Sequence, residues 1–333
     1  MVAIRVLWFF VTVEGVRASS GGNGGGSGGS GGNCGDEFQA QCHVHEDETS
    51  VLQVRAAMPL VQTLVLPPGG ASCSSCLPNG SIVSMHSSKV SHATMPNGTR
   101  IEGGMAQKLT GGMGSWVGGW RTYAETAKYA DPITWFSAEF EVPEEPKATD
   151  SSKTITYIFP GLEDVDHDWI LQPVLQWGSA ACGPHPPKQD QWTYQSYMVP
   201  KGPSVGCSHA SSYLPVKVGQ KLRGEMELMQ DGRWRVTSTV ADTGASTTLL
   251  IAGAKPQRVP VLTIELDSAT TPSTVCDAYP QSPVTFSKVH LKTTAGPIPS
   301  SNVQWQKKED SECSGHVRIS NHGDVTLSSG AAR

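Results

Sequence analysis

Charge is scarce in this chain. Asp, Glu, Lys and Arg make 17% of its 333 residues, against roughly 25% in an average soluble protein. The 25 basic residues are outnumbered by 30 acidic ones, giving a formal net charge of -5, and they form no cluster. The electrostatic footprint of a nucleic-acid binder is therefore missing, and no nucleic-acid partner is expected. Long apolar runs are lacking too. The densest, residues 6–13, is far shorter than the ~18 residues a membrane-spanning helix needs, so no membrane partner is expected either. Helical periodicity is also absent, and 36 Gly with 23 Pro exceed the usual share of about 12%, which excludes long helices and coiled coils. No Gly-x-Ser-x-Gly elbow follows a candidate strand, so nucleophilic serine catalysis lacks its usual setting.

What is present falls into segments. Arg5, the apolar run 6–13 and the small residues around Ala18 read as a secretory signal over 1–18, which makes the mature protein secreted. Residues 19–33 contain only Gly, Ser and Asn, a composition that cannot offset its ordering entropy and behaves as a flexible linker. The stretch 34–115 is polar and turn-rich, reads as an irregular pro-segment or stalk, and carries the glycosylation sequons at Asn79 and Asn97. Residues 116–292 form the domain, and 293–333 a C-terminal tail.

Within the domain, short runs of alternating polarity are separated by Gly, Pro and Asp, the period of two that marks strands with one buried face. In 133–142, Phe136, Ala138, Phe140 and Val142 share one face, while Ser137, Glu139 and Glu141 share the other. Similar segments lie at 154–159, 170–177, 192–199, 222–229, 233–240, 247–252, 259–267 and 284–291. Their number and spacing predict an all-β sandwich of two antiparallel sheets with a disordered N-terminal arm. Eight cysteines in a secreted chain predict four disulfides. Local pairing would join Cys34 with Cys42, Cys73 with Cys76, Cys182 with Cys207 and Cys276 with Cys313, although the Cys73–Cys76 spacing also fits a redox or zinc motif.

Two strands carry candidate chemistry. In 169–177, Ile170, Gln172, Val174 and Gln176 point one way and Leu171, Pro173, Leu175 and Trp177 the other. Pro173 cannot donate to a ladder, which predicts an edge or a bulge beside Gln172. An amide on a sheet face can position a water or stabilise a developing oxyanion without a charge of its own. In 259–267, Glu265 projects from the strand opposite Leu262, Ile264 and Leu266. A carboxyl there can act as general base toward water and then as general acid toward a leaving amine. Solvated strand faces carry Gln and Glu as well, and spacing alone does not separate the two readings.

A Gly-rich Trp segment (Trp116, Gly118, Gly119, Trp120), a strand ending in Val142-Pro143, the Pro160-Gly161-Leu162 turn, Ile170-Leu171-Gln172, the aromatic strand from Trp192 to Pro200 and a later Glu-bearing strand follow one another in this order. Over roughly 116–292 the chain thereby resembles the glutamic peptidases, the eqolisins. That resemblance implies a concanavalin A-like sandwich whose concave face holds a Gln and a Glu binding the attacking water, with Gln172 and Glu265 as the matching residues. Where the family's Glu strand typically carries two glutamates four residues apart, this one has Glu265 alone, and a register four residues earlier puts Val261 at the catalytic position.

The resulting expectation is a monomeric, secreted endopeptidase acting on polypeptide at acidic pH, without cofactor or metal. The alternative is a non-catalytic, glycan-binding sandwich whose Trp177, Trp192, Tyr194 and Tyr197 stack on sugar rings, or a surface protein doing neither. Glycoside hydrolysis would need Glu225 or Glu227 opposite Glu265. The acidic turn with Asp164, Asp166 and Asp168 resembles the start of a calcium loop, but Trp169 stands where a Gly is needed. His43 and His45 beside acidic residues could bind metal, yet a solvated polar run is the plainer reading.

Overall fold

The computed structural model describes residues 74–102, 117–147, 154–178, 190–200, 208–268 and 275–330. Twenty strands are formed there. In chain order they are β1 (Ser74–Leu77), β2 (Ser81–His86), β3 (Lys89–Thr94), β4 (Arg100–Glu102), β5 (Val117–Thr126), β6 (Ile133–Glu141), β7 (Thr154–Asp164), β8 (Trp169–Trp177), β9 (Trp192–Pro200) and β10 (Ser208–Ser211). They continue with β11 (Leu214–Val216), β12 (Lys221–Leu228), β13 (Trp234–Val240), β14 (Ser246–Ala252), β15 (Gln257–Ser268), β16 (Val284–Thr293), β17 (Gly296–Ile298), β18 (Trp305–Lys308), β19 (His316–Ile319) and β20 (Val325–Ser328).

Two sheets result. A nine-stranded sheet runs β1-β10-β9-β8-β7-β15-β5-β18 with β11 on β9, and an eleven-stranded sheet runs β19-β20-β16-β6-β12-β13-β14-β2-β3-β4 with β17 on β16. Alternation decides which side of each strand faces the other sheet, although β8 is buried on both of its faces. Ile158, Leu171, Leu175, Leu262 and Ile264 of the first sheet and Phe136, Phe140, Leu222, Met226 and Val236 of the second belong to one buried cluster, the core of the sandwich. The polar residues between them turn outward. The nine expected segments are β6 to β9 and β12 to β16.

Three features differ from the expectation. The sheets are mixed, since β1 lies parallel to β10 and β2 parallel to β14. Residues 74–102, expected within an irregular stalk, supply β1 to β4, and the expected tail supplies β17 to β20. These strands are short, and β3 buries only Ala93, so each offers few residues over which alternation could be read. The two sequons fall at turns, where Asn79 and Asn97 are exposed. The secretory signal, the Gly/Ser linker, His43, His45 and Cys34, Cys42, Cys73, Cys182 and Cys207 lie outside the described residues.

Pro173 is the third difference. β8 is an inner strand between β7 and β9, where proline is normally excluded. The β7–β8 ladder pairs Ile158 with Leu175 and Leu162 with Leu171 but has no partners between them. By that register Pro160 faces Pro173, so both missing donors fall in one gap beside Gln172. Gly224 of β12 makes room on the core side: a Cβ there would stand 2.6 Å from the Pro173 ring and 2.8 Å from that of Pro160.

The Cys276–Cys313 disulfide forms as expected. Cys76 is disulfide-bonded as well. Such bonds fit an oxidising, extracellular setting, and no helix among the described residues is long and apolar enough to cross a membrane.

His209 of β10 is buried, its Nδ1 has no hydrogen-bond partner, and burial lowers its pKa to about 4. The folded protein thus refuses a proton that the unfolded chain accepts below about pH 6.5. Stability is fully present above that pH and is lost as the pH falls toward about 4, by up to about 3 kcal/mol in total. Urea denaturation between pH 4 and 7 should therefore show a steeper acid loss for the wild type than for His209→Leu. Equal slopes would show that His209 is not the group responsible.

Candidate active site

The outer face of the nine-stranded sheet is built from alternate residues of β9, β8, β7, β15 and β5. Register places its residues in rows across the strands. Glu265 pairs with Tyr157 of β7 on one side and Trp120 of β5 on the other, and Tyr157 in turn pairs with Gln176 of β8. Trp120, Glu265, Tyr157 and Gln176 are therefore level. With strands about 4.8 Å apart, Gln176 and Glu265 stand roughly 10 Å apart at Cα across β7. Their side chains reach toward the same space.

Gln172 shares this face but lies four residues further along β8. Its row contains Tyr197 of β9, Gly161 and Val261. Gln172 is thus displaced from Glu265 by two strands across, about 10 Å, and four residues along, about 13 Å. The residue level with Gln172 on β15 is Val261. Gly161 keeps the intervening strand bare, since a Cβ would stand 2.7 Å from Ile170 Cδ1 and 3.0 Å from Val261 Cγ1.

Hydrogen bonds fix the amides. Gln195 Nε2 donates to the Tyr197 hydroxyl, which donates to Gln176 Oε1 at 2.9 Å. Burial pushes the Tyr197 phenol well above its ordinary pKa, so it remains a donor. The Tyr197 hydroxyl thus fixes which way round the Gln176 amide sits, with Oε1 toward Tyr197 and Nε2 away from it, and Gln176 is 2% exposed. Gln172 Oε1 is buried without a hydrogen-bond partner, and Gln172 itself is 6% exposed.

An apolar patch adjoins this polar row. Phe159, Val174 and Val261 form a small buried cluster with Trp120, Tyr123 and Tyr157 packed against it. Trp120 meets Tyr123 edge-on at 5.3 Å and Phe159 at 6.4 Å between ring centroids. The face combines a carboxyl, oriented amides and an apolar corner, a mixture suited to a polar bond flanked by an apolar side chain. Trp120 owes its level with Glu265 to a bulge, because the β5–β15 register shifts between Ile264 and Glu265. The bulged residue, Arg121, is held by Asp310 at 2.9 Å and Glu312 at 2.6 Å.

The aromatics expected to stack on sugars are placed otherwise. Trp177, Trp192 and Tyr194 lie in the core between the sheets, with Trp177 and Trp192 in ring contact at 5.3 Å, so they present no ring face to a ligand. Tyr197 is on the outer face but is a hydrogen-bonded, 7% exposed residue. Their alternation in the sequence is core alternation, with the sheet face inverted. Glu225 and Glu227 point outward from the other sheet, where they pair with Arg223 and Arg235, and cannot share a substrate bond with Glu265.

The acidic turn is likewise internally satisfied. The Asp164 carboxylate accepts the backbone N–H groups of Asp166 at 2.9 Å and of Asp168 and Trp169 at 3.1 Å. Lys255 Nζ bridges Asp166 at 2.6 Å and Asp168 at 2.7 Å, occupying the place a cation would take.

No family profile matches the chain, and no curated protein matches it by sequence. Among solved structures it is similar to scytalido-glutamic peptidase bound to a peptide-based transition state analog, with 14% identity over 65% of this chain and 100% of that one, at a TM-score of 0.45. SCP-B, a member of the eqolisin family in complex with the tripeptide Ala-Ile-His, gives 14% identity, the same coverage and 0.43. The enzymatically active domain of bacteriophage CBA120 tailspike protein 2 gives 11% identity over 53% of this chain and 25% of that one, at 0.30. At these values the likeness lends nothing to the chemistry, which rests on the chain's own residues.

Proposed function

We propose that the protein is a secreted glutamic-type endopeptidase, a monomer that hydrolyses polypeptide on the outer face of its nine-stranded sheet. The observation that carries this reading is the level row of Glu265, Tyr157 and Gln176, with Gln176 oriented by Tyr197. Glu265 takes a proton from water as the water adds to the peptide carbonyl, and returns it to the leaving amine. The Gln176 amide donates to the oxyanion that develops on that carbonyl. Gln172, further along the same face and 6% exposed, is assigned to shaping the surface beneath the bound peptide rather than to the chemical step. The apolar corner of Trp120, Tyr123 and Phe159 receives an adjacent apolar side chain.

The test is cleavage of an unfolded protein by the purified full chain between pH 2 and 7. Cleavage within this range is expected, and its absence throughout defeats the reading. One observation favours a second reading, peptide binding without cleavage. Val261, not a carboxylate, is level with Gln172 across Gly161. A protein that binds peptide but never cleaves it would fit that arrangement.

A further inference from the structure

The eleven-stranded sheet carries a cleft on its own outer face, on the far side of the sandwich from Glu265. The β6–β16 ladder is irregular twice within a few residues, between Ser287 and His290 and between Lys292 and Thr293. At the first irregularity Lys288 adopts a φ of 47°, a left-handed conformation that residues other than glycine rarely take and that concentrates at functional sites. Bulges re-aim side chains next to binding sites. Here they frame Trp135, whose ring lies parallel to that of His290 at 6.1 Å between centroids and 13° between planes.

The result is an open cleft of about 640 Å³ whose lining includes Trp135, His290, Lys288, Lys292, Pro297 and Ile298. Its volume suits a small ligand. No acidic side chain lines it, an inversion of charge in a chain whose net charge is -5. The nearest carboxylate, Glu139, lies 2.7 Å from Lys288 Nζ, and Lys288 keeps 68% of its side chain exposed. Trp135 Nε1 is buried without an acceptor.

Flat aromatic surface takes up the C–H face of a pyranose ring through apolar burial. Two ammonium groups add compact positive charges without the planar fork that favours phosphate. We infer that this cleft binds an acidic saccharide, a short chain of carboxyl-bearing sugar rings stacked on Trp135 and His290 with its carboxylates on Lys288 and Lys292. The inference is independent of the peptidase reading, because the two faces belong to different sheets.

Calorimetric titration of the full chain with tri-galacturonic acid, followed in parallel by tryptophan fluorescence, tests it. Neutral galactotriose and a short poly-glutamate are the comparison ligands. Binding of the acidic sugar at least roughly tenfold tighter than either comparison is expected, and it should weaken with added salt. Trp135→Ala, or Lys292→Glu should the first variant fail to fold, is expected to lower affinity by roughly tenfold or more and to leave any peptide cleavage unchanged. Equal binding of poly-glutamate would replace the sugar with any polyanion, and equal binding of galactotriose would remove the lysines' role. Unaltered affinity in both variants would place the ligand elsewhere. Each of these three results overturns the inference.

Discussion

The Glu265→Gln protein is expected to lose roughly 10²–10³-fold in kcat/KM for peptide cleavage. Glutamine keeps the shape and much of the hydrogen bonding of the carboxyl, so substrate binding and KM should change little. It cannot take up the proton that water must shed, so the loss falls on kcat. Gln176→Ala should lose a comparable factor in kcat, because one donor to the developing oxyanion disappears. That variant also leaves the Tyr197 hydroxyl without its acceptor, at a cost of about 1–3 kcal/mol, so its stability must be measured beside its rate. The double variant should be little worse than the worse single one, as expected of groups that act together in one step. Gln172→Ala should instead raise KM. Full activity in Glu265→Gln would reject the assignment. Loss of kcat in Gln172→Ala with Gln176→Ala intact would return the amide role to Gln172.

Removing the Cys276–Cys313 disulfide is expected to have the largest effect on stability. The bond closes a loop over a sequence separation of 37 residues, for which loop-closure entropy in the unfolded chain corresponds to about 4 kcal/mol. In a domain of this size that lowers the melting temperature by roughly 10 °C. The location adds a functional consequence. Asp310, three residues before Cys313, holds Arg121 Nε at 2.9 Å and accepts the Tyr279 hydroxyl at 3.0 Å. Arg121 is the bulged residue that keeps Trp120 level with Glu265. The Cys276→Ala/Cys313→Ala protein should therefore melt earlier and also cleave more slowly below its melting temperature. A calorimetric scan and a rate measurement at 25 °C separate the two effects. Unchanged melting would show that the C-terminal segment is held by its noncovalent contacts alone. The double variant is preferable to a reductant, which would also break the bond at Cys76.

How much of this was legible beforehand differs from one element to the next. Strands such as β13, with buried and half-exposed residues in strict alternation, could be read directly, because a single solvated face imposes a period of two on the sequence. β5 was harder: its Gly118-Gly119 pair and its bulge at Arg121 break that period. β1 to β4 complete both sheets through pairings with β10 and β14, partners more than a hundred residues away whose choice leaves no local trace. Pro173 pointed to an edge, yet the structure answers with a second proline opposite it and a glycine on the facing sheet, a compensation visible only once the strands are paired.

The candidate site divides along the same line. Composition and alternation alone determined an all-β chain without helices for a membrane or a basic surface for nucleic acid, and they put Gln172 and Gln176 on one face of their strand and Glu265 on one face of its own, since each follows from residue type and a period of two. They equally turned Trp177 and Trp192 to one side, but not to which side, since both faces of these strands are rich in large residues. Only the tertiary structure decided that those indoles fill the core, that Gln176 stands level with Glu265 while Gln172 stands level with Val261, and that Trp135 and two lysines share a cleft. Such facts are register and pairing. They are set by which strands meet and where their ladders slip, which depends on contacts between residues far apart in the chain.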